Sequence, residues 1–367
     1  MIKKLGIPKE IKQDEGRIAL IPQHITQFTG LADIYVESEA GLGSGFTDQD
    51  YEDAGANIIH TAEELYEISE IICKVKEPQP QELEFLNSSH VLFAYLHLSS
   101  NISLTKALLD KKLTGIATEM IMDGKDYPLL IPMSRIAGNL AIQKGMQFLE
   151  YSSKGKGVLL SAISREKSSK VTVIGCGEVG RASIHKSIQI GASVTAIDIN
   201  VNTLEDLKNK YGENISTIVS GTDEAVNAIR SADLVIGAVL LPGRKPPVVI
   251  TEEDISAMEQ GTVIVDVAID QGGCVEGVKP NTHSDPFEIR NGVIVSAIAN
   301  LPGAVPRTSS IELSTNLQKY VDNLLIENWF EEYKNNESLR PSLQIHNGLL
   351  LSEEVADSLS LTLSKLV

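Results

Sequence analysis

The chain has 367 residues, 42% hydrophobic but only 5% aromatic, which suits two domains with largely aliphatic cores. A formal net charge of −17 argues against a nucleic-acid-binding surface and requires any anion site to be locally basic. No run approaches the roughly 18 apolar residues of a membrane span, Met1–Pro8 is too short in its apolar part for a secretion signal, and Cys73, Cys176 and Cys274 lack the spacing of a disulfide framework or a zinc site. The expectation is a reduced, cytoplasmic protein with no metal and no membrane partner.

The first third alternates strand and helix signals. Leu5–Pro8 reads as a buried strand, Pro22–Thr29 as helical and Asp33–Glu37 as a second strand. The glycine-rich turn Ala40–Phe46 follows, then helices over Asp48–Ala54 and Ala62–Ile68. Strands at Ile71–Lys74 and Val91–Leu96, a helix at Leu104–Lys111 and a strand at Thr114–Ala117 complete the series. Such alternation predicts a parallel sheet wrapped by helices. Pro128 and Pro132 mark Asp123–Ser134 as a loop, and Gly138–Ser152 reads as a helix bridging two domains.

A second series begins at Val171–Gly175, a near-continuous apolar strand of the kind covered on both faces. Further strands are expected at Ser193–Ile197, Ser216–Val219, Leu234–Ala238, Thr262–Val267 and Val293–Ala297. Helices are expected between them, at Val179–Ile190, Asn202–Tyr211, Glu224–Ser231 and Glu252–Met258. After Pro306 the pattern reads as helical to the end, with Ser310–Tyr333 crossing back to the first domain. The predicted fold is α/β, with two Rossmann-like doubly wound parallel-sheet domains separated by a cleft. A substrate domain would comprise residues 1–134 plus 307–367, and a nucleotide domain residues 135–306.

The dinucleotide fingerprint Gly175-Cys-Gly177-Glu178-Val179-Gly180 stands between a predicted strand and helix, the context it needs. Gly175 permits the tight turn, Gly177 the approach of a pyrophosphate and Gly180 close helix–strand packing. Asp198 ends the second strand of this series, about twenty residues on, where an acid accepts hydrogen bonds from the adenine ribose. It would repel a 2′-phosphate, and Ile199–Thr203 contains no basic residue, so NAD is expected over NADP. Glu178 is an acid beside the expected pyrophosphate.

Polar residues also punctuate strand ends elsewhere. Lys76 follows the run Ile71–Lys74, and His97 ends Val91–His97. Arg17 lies in the loop after the first strand, and Val265–Gly273 ends a strand in Asp270 before a Gln-Gly-Gly turn. An arginine fork suits a carboxylate, a lysine polarises a carbonyl, and a histidine exchanges protons near neutral pH. Together with the nucleotide motif they describe an amino-acid or keto-acid dehydrogenase.

The chain resembles the alanine dehydrogenase family, which also includes the transhydrogenase NAD-binding subunit. The resemblance rests on Gly6–Glu10, Arg17–Ala19, Gly41–Phe46, Lys74–Pro78, Tyr95–Leu98, Pro132–Ser134, Val265–Gly273 and Ala299–Ser309, in that order and spacing. It implies that Arg17 and Lys76 bind the substrate carboxylate and carbonyl, with His97 as general acid/base and Asp270 as a second catalytic group. It also implies NAD contacts from Ser134, the fingerprint turn at Gly175, Gly177, Glu178, Val179 and Gly180, and from Asp198 and Ser220. Further contacts would come from Val239 and Leu240, from Val267, Ala268, Ile269 and Asp270, from Lys279, and from Ile298, Ala299, Asn300 and Leu301. Such enzymes convert L-alanine to pyruvate and ammonium and are typically homohexamers.

The sequence departs from the family pattern at Arg135, Thr203, Lys279 and Ser161–Arg165. Two other readings stand beside the main one. A saccharopine-type dehydrogenase would act on a larger or N-substituted amino acid, and a non-catalytic NAD-binding regulator would keep the fold alone. A transhydrogenase subunit would lack the combination of Lys76, His97 and Asp270 in these contexts.

Overall fold

The computed structural model describes residues 3–161, 168–239 and 246–366. Two compact units emerge, Met1–Met133 with Val305–Val367, and Ser134–Ala304. The first unit opens with β1 (Lys3–Ile7), β2 (Ala32–Glu37), β3 (Asn57–Ile59), β4 (Ile71–Cys73), β5 (Val91–Ala94) and β6 (Thr114–Ala117). The second contains β7 (Lys170–Ile174), β8 (Ser193–Asp198), β9 (Ile215–Val219), β10 (Leu234–Gly237), β11 (Val263–Asp266), β12 (Glu288–Arg290) and β13 (Val293–Ser296). The chain then returns to the first unit with β14 (Leu343–His346) and β15 (Leu349–Leu350).

The first sheet has the order β15-β14-β6-β5-β4-β1-β2-β3. From β1 the chain winds outward through β2 and β3, then returns to place β4, β5 and β6 on the other side. Strand order therefore reverses between β1 and β4. The second sheet, β12-β13-β11-β10-β7-β8-β9, reverses in the same way between β7 and β10. In open α/β sheets such reversals leave a crevice beyond the carboxyl ends of the strands, where ligands bind. The central strands β4, β5, β10, β11 and β13 are buried at every position. This is why they read as unbroken apolar runs, whereas β2 alternates buried with exposed or half-buried residues.

Four stretches differ from the sequence expectations. The helix after the proline-marked loop spans Leu130–Phe148, so Pro132 and Ser134 are helical. Pro132 is tolerated because it lies in the first turn, where N–H groups lack intrahelical acceptors. The C-terminal region is not helical throughout. Helices Pro306–Leu325 and Trp329–Asn335 are followed by the antiparallel hairpin β14–β15. Its turn is Asn347-Gly348 with φ of 50° and 79°, the left-handed pair a tight two-residue hairpin needs. The unexpected strand β12 arises identically, since Asn291-Gly292 (φ 50° and 83°) turns it back onto β13. The short parallel strand β3 was also unexpected.

The helix Pro306–Leu325 fixes the loop after β1. Ser310 Oγ accepts the Ile18 N–H at 2.9 Å and Ser314 Oγ accepts the Ile21 N–H at 3.0 Å. Both serines are fully buried, and such small side chains allow helix and loop backbone to approach closely. Arg17 is thereby held from the residue next to it.

Candidate active site

In the first unit, Arg17, Lys76 and His97 follow β1, β4 and β5, three neighbouring strands on one carboxyl edge. Arg17 is 3% exposed. Its Nε donates to Glu15 Oε1 at 2.7 Å, its Nη2 donates to Glu15 Oε2, and its Nη1 reaches Met133 Sδ at 3.4 Å. Burial alone would disfavour the charged guanidinium, but the Glu15 hydrogen bonds and charge raise its pKa further. Arg17 is therefore a charged fork already oriented by Glu15.

Lys76 is 8% exposed, and its backbone is held by a buried ionic network. Glu10 Oε1 accepts the Val75 N–H at 2.6 Å and the Lys76 N–H at 3.3 Å. Glu10 Oε2 pairs with Lys74 Nζ at 3.2 Å, and Lys74 Nζ also donates to Glu82 Oε1 at 2.6 Å. Tyr66 Oη donates to the same Glu82 oxygen at 2.9 Å. Burial pushes the Glu10 carboxyl up, with Lys74 opposing. Burial would lower the Lys74 ammonium, but Glu10 and Glu82 more than offset it and raise it. Glu77, next to Lys76, pairs with Lys12. Burial would raise that carboxyl, yet the Lys12 hydrogen bond and the Lys12 and Lys76 charges bring it below its ordinary value.

His97 lies three residues beyond the end of β5, at φ 47° and ψ 40°. This left-handed conformation is uncommon for a residue with a side chain and costs roughly 1–2 kcal/mol. Glu119, 7% exposed and carried just past β6, over-determines the turn. Its two oxygens accept the Leu96 N–H at 3.1 Å and the His97 N–H at 2.7 Å. The His97 ring stacks on Tyr95 with planes 8° apart, its Nδ1 is 3.8 Å from Glu119 Oε1, and the side chain is 44% exposed. Tyr95 is itself fixed by donating to Leu129 O at 2.7 Å. An accessible imidazole on a rigid turn can exchange protons with a small ligand.

The second unit gathers its residues on the carboxyl edge of the other sheet. Gly175 (φ 89°) follows β7, and a Cβ there would meet Ala238 O at 2.5 Å. A Cβ on Gly180 would collide with Gly175 O, so the helix Glu178–Gln189 packs against the turn. A Cβ on Gly177 would meet no atom within 4 Å. The turn is therefore open where a pyrophosphate would face the helix N-terminus, and the cradle fits a dinucleotide. Asp198 ends β8 and clips the turn, accepting the Cys176 N–H at 2.7 Å and the Asn200 N–H at 2.8 Å. Burial, then the nearby Asp198 charge, pushes the Cys176 thiol up to about 12, so it stays neutral. Glu178 turns toward Arg135, whose Nε donates to Glu178 Oε2 at 2.8 Å.

Other expected residues fall around the same edge. Ser220 follows β9, its N–H donating to Asp198 O at 2.9 Å, and half-buried Val239 follows β10. Leu240 lies outside the described residues, as do 162–165 of the Ser161–Arg165 stretch. Val267, Ala268, Ile269 and Asp270 form a short 3-10 turn after β11. That turn is organised by Asp266, fully buried, whose carboxylate accepts the N–H groups of Ala268, Cys274 and Val275. Asp270 is exposed, and its Oδ1 accepts the N–H of Asn300 (φ 60°) at 3.1 Å. The loops after β11 and β13 thus meet at Asp270, with Ile298, Ala299 and Leu301 flanking Asn300. Lys279 is exposed on the segment before Asn281, which pairs with the Ala297–Ala299 backbone. Ser134 lies half-buried in the first turns of the helix Leu130–Phe148.

Sequence reasoning missed the acids that position these groups: Glu10, Glu15, Glu82, Glu119 and Asp266. One signal was present. Lys74 inside an apolar strand run demands a buried counter-charge, because an unpaired buried ammonium is too costly.

Two family models match the chain, Alanine dehydrogenase/PNT, N-terminal domain, over residues 6–137 and Alanine dehydrogenase/PNT, C-terminal domain, over 141–353. The chain is 43% identical to an alanine dehydrogenase of Bacillus subtilis (strain 168) over 357 residues, covering 97% of this chain and 94% of that one. A solved L-alanine dehydrogenase superposes with a TM-score of 0.92 at 37% identity, covering 97% of this chain and 99% of that one. A transhydrogenase from Sinorhizobium meliloti gives a TM-score of 0.81 at 25% identity, with 96% and 99% covered. The chain belongs to the alanine dehydrogenase/PNT family.

Proposed function

We propose that this protein catalyses the NAD-dependent, reversible oxidative deamination of L-alanine to pyruvate and ammonium. The observation that carries the reading is the convergence of Arg17, Lys76 and His97 on one carboxyl edge of one sheet, in a chain that also holds a complete dinucleotide turn. The full-length likeness to alanine dehydrogenases supports the substrate.

NAD, when bound at the Gly175–Gly180 turn with its ribose on Asp198, supplies the acceptor for the hydride leaving the substrate α-carbon. The remaining steps belong to the chain. Arg17, held charged by Glu15, takes the substrate carboxylate, and Lys76 polarises the carbonyl oxygen of pyruvate or of its water adduct. Alanine first gives up one ammonium proton to solvent, so the loss of hydride from its α-carbon leaves an iminium. Water adds to its carbon, and His97 accepts the proton from that water. His97 then returns the proton to nitrogen, and the adduct's hydroxyl proton passes to the departing ammonia, so pyruvate and ammonium form and the one net proton is the one alanine released before hydride transfer. Asp270, anchored by Asn300, stabilises the positive charge on nitrogen.

No helix among the described residues is long and apolar enough to cross a membrane. By family resemblance the proposal extends to a homohexamer working in the cytoplasm on small molecules. The test is NAD reduction at alkaline pH with a panel of L-amino acids and saccharopine. Turnover with alanine is expected. Turnover with saccharopine but not alanine would replace the substrate, and cofactor binding without turnover on any substrate would reject the enzyme.

A further inference from the structure

We propose that Arg135 is a phosphate-binding residue for the dinucleotide, and that Glu178 competes with the cofactor's pyrophosphate for it. The proposal rests on the reading of the Gly175–Gly180 turn as the dinucleotide cradle. It begins with a close helix contact. A Cβ on Gly138 would collide with Val179 O and lie 2.8 Å from Ala182 Cβ. Ser183 Oγ, fully buried, donates to Gly138 O at 2.9 Å. The helix Leu130–Phe148 therefore touches the first turns of the helix Glu178–Gln189 almost backbone to backbone. Arg135 stands one helical turn before Gly138 on the same face. The packing brings its guanidinium to the mouth of the glycine turn.

There it meets Glu178, the first residue of the nucleotide helix, at 2.8 Å. The two side chains are 63% and 38% exposed. An exposed pair of this kind is weakly held and readily exchanged. The bond uses Nε, and no acceptor for Nη1 or Nη2 is found among the described residues. The planar fork thus retains the geometry that suits a phosphate. Glu178 is stabilised at a helix N-terminus while no other anion is there. A diphosphate arriving over Gly177 puts further negative charge at the same end. Arg135 is the adjacent cation able to move from carboxylate to phosphate, and Glu178 holds it back. Acid and base then have opposite effects on cofactor affinity, unlike a structural strap, where losing either partner does the same harm.

The test is NADH binding to the full-length protein, followed by fluorescence, for Arg135→Gln, Glu178→Gln and the double variant. Arg135→Gln should weaken binding about tenfold, and Glu178→Gln should tighten it by about threefold or more. The double variant should lie between them. ADP-ribose should follow the same pattern, whereas adenosine, without phosphate, should bind all forms equally. Arg135→Gln should also flatten the salt dependence of NADH binding. Wild-type affinity in Arg135→Gln, or equal weakening in both single variants, would overturn the proposal. Failure of the unsubstituted protein to bind NADH would instead reject the reading of the cradle.

Discussion

The two units carry chemically different candidate sites on the same kind of scaffold. In the first, Arg17, Lys74, Lys76, Glu15, Glu82 and Glu119 are all charged side chains buried at or below 9% exposure, linked by ion pairs and main-chain bonds. In the second, the glycine turn is made of backbone, and that unit's acids Asp198 and Asp266 accept N–H groups of the turns after β7 and β11. The difference follows from the ligands proposed for them. A three-carbon acid offers few atoms, so point charges in a low-dielectric setting must orient it. A dinucleotide spreads its charge over a diphosphate, which an array of N–H groups at a helix end can meet without buried cations.

If that contrast is right, damage to the first unit should change chemistry and stability, and damage to the second should change cofactor affinity. The largest effect is expected from His97→Ala. Its kcat should fall about 10²–10⁴-fold, the range for a positioned acid/base, with NADH affinity unchanged. Near-normal turnover would remove His97 from the mechanism. Lys74→Met leaves Glu10 and Glu82 facing each other without their cation. It should cost about 3–5 kcal/mol in urea unfolding, as expected when one partner of a buried ionic network is removed. A loss below about 1 kcal/mol would show that the network carries little of the fold's stability. Asp198→Ala should raise the NADH Kd by about tenfold through lost charge-assisted hydrogen bonds, leaving the pyruvate KM unchanged at saturating cofactor. An altered pyruvate KM with an unaltered NADH Kd would blur the division between the units.

The second site was far more legible in the sequence than the first. The glycine turn and Asp198 declare themselves because their roles are local. A strand, a turn and a helix start lie within one short stretch, and the second strand follows at a set interval. The central strands were legible for a related reason, since burial on both faces leaves unbroken apolar runs. The ionic network was hidden because its partners come from separate segments, with Glu10 after β1, Lys74 after β4 and Glu82 in the turn before β5. Only the odd lysine at position 74 hinted at it. The C-terminal hairpin and β12 were missed although Asn347-Gly348 and Asn291-Gly292 are strong turn signals. The helical spacing that begins at Pro306 ends at Asn335, before the hairpin, with no break in composition to mark it. Glu178 showed the opposite failing. Its oddity was plain in the sequence, but its partner, Arg135, is adjacent only because Gly138 lets two helices touch.

The central claim is that the first unit holds the substrate and the second the cofactor. A crystal structure of the protein with NADH and pyruvate tests it most directly. The account predicts the pyruvate carboxylate within hydrogen-bonding distance of Arg17, its carbonyl oxygen facing Lys76 and His97, and the NADH pyrophosphate over Gly177. Pyruvate bound away from these side chains, or NADH bound away from the glycine turn, would contradict it.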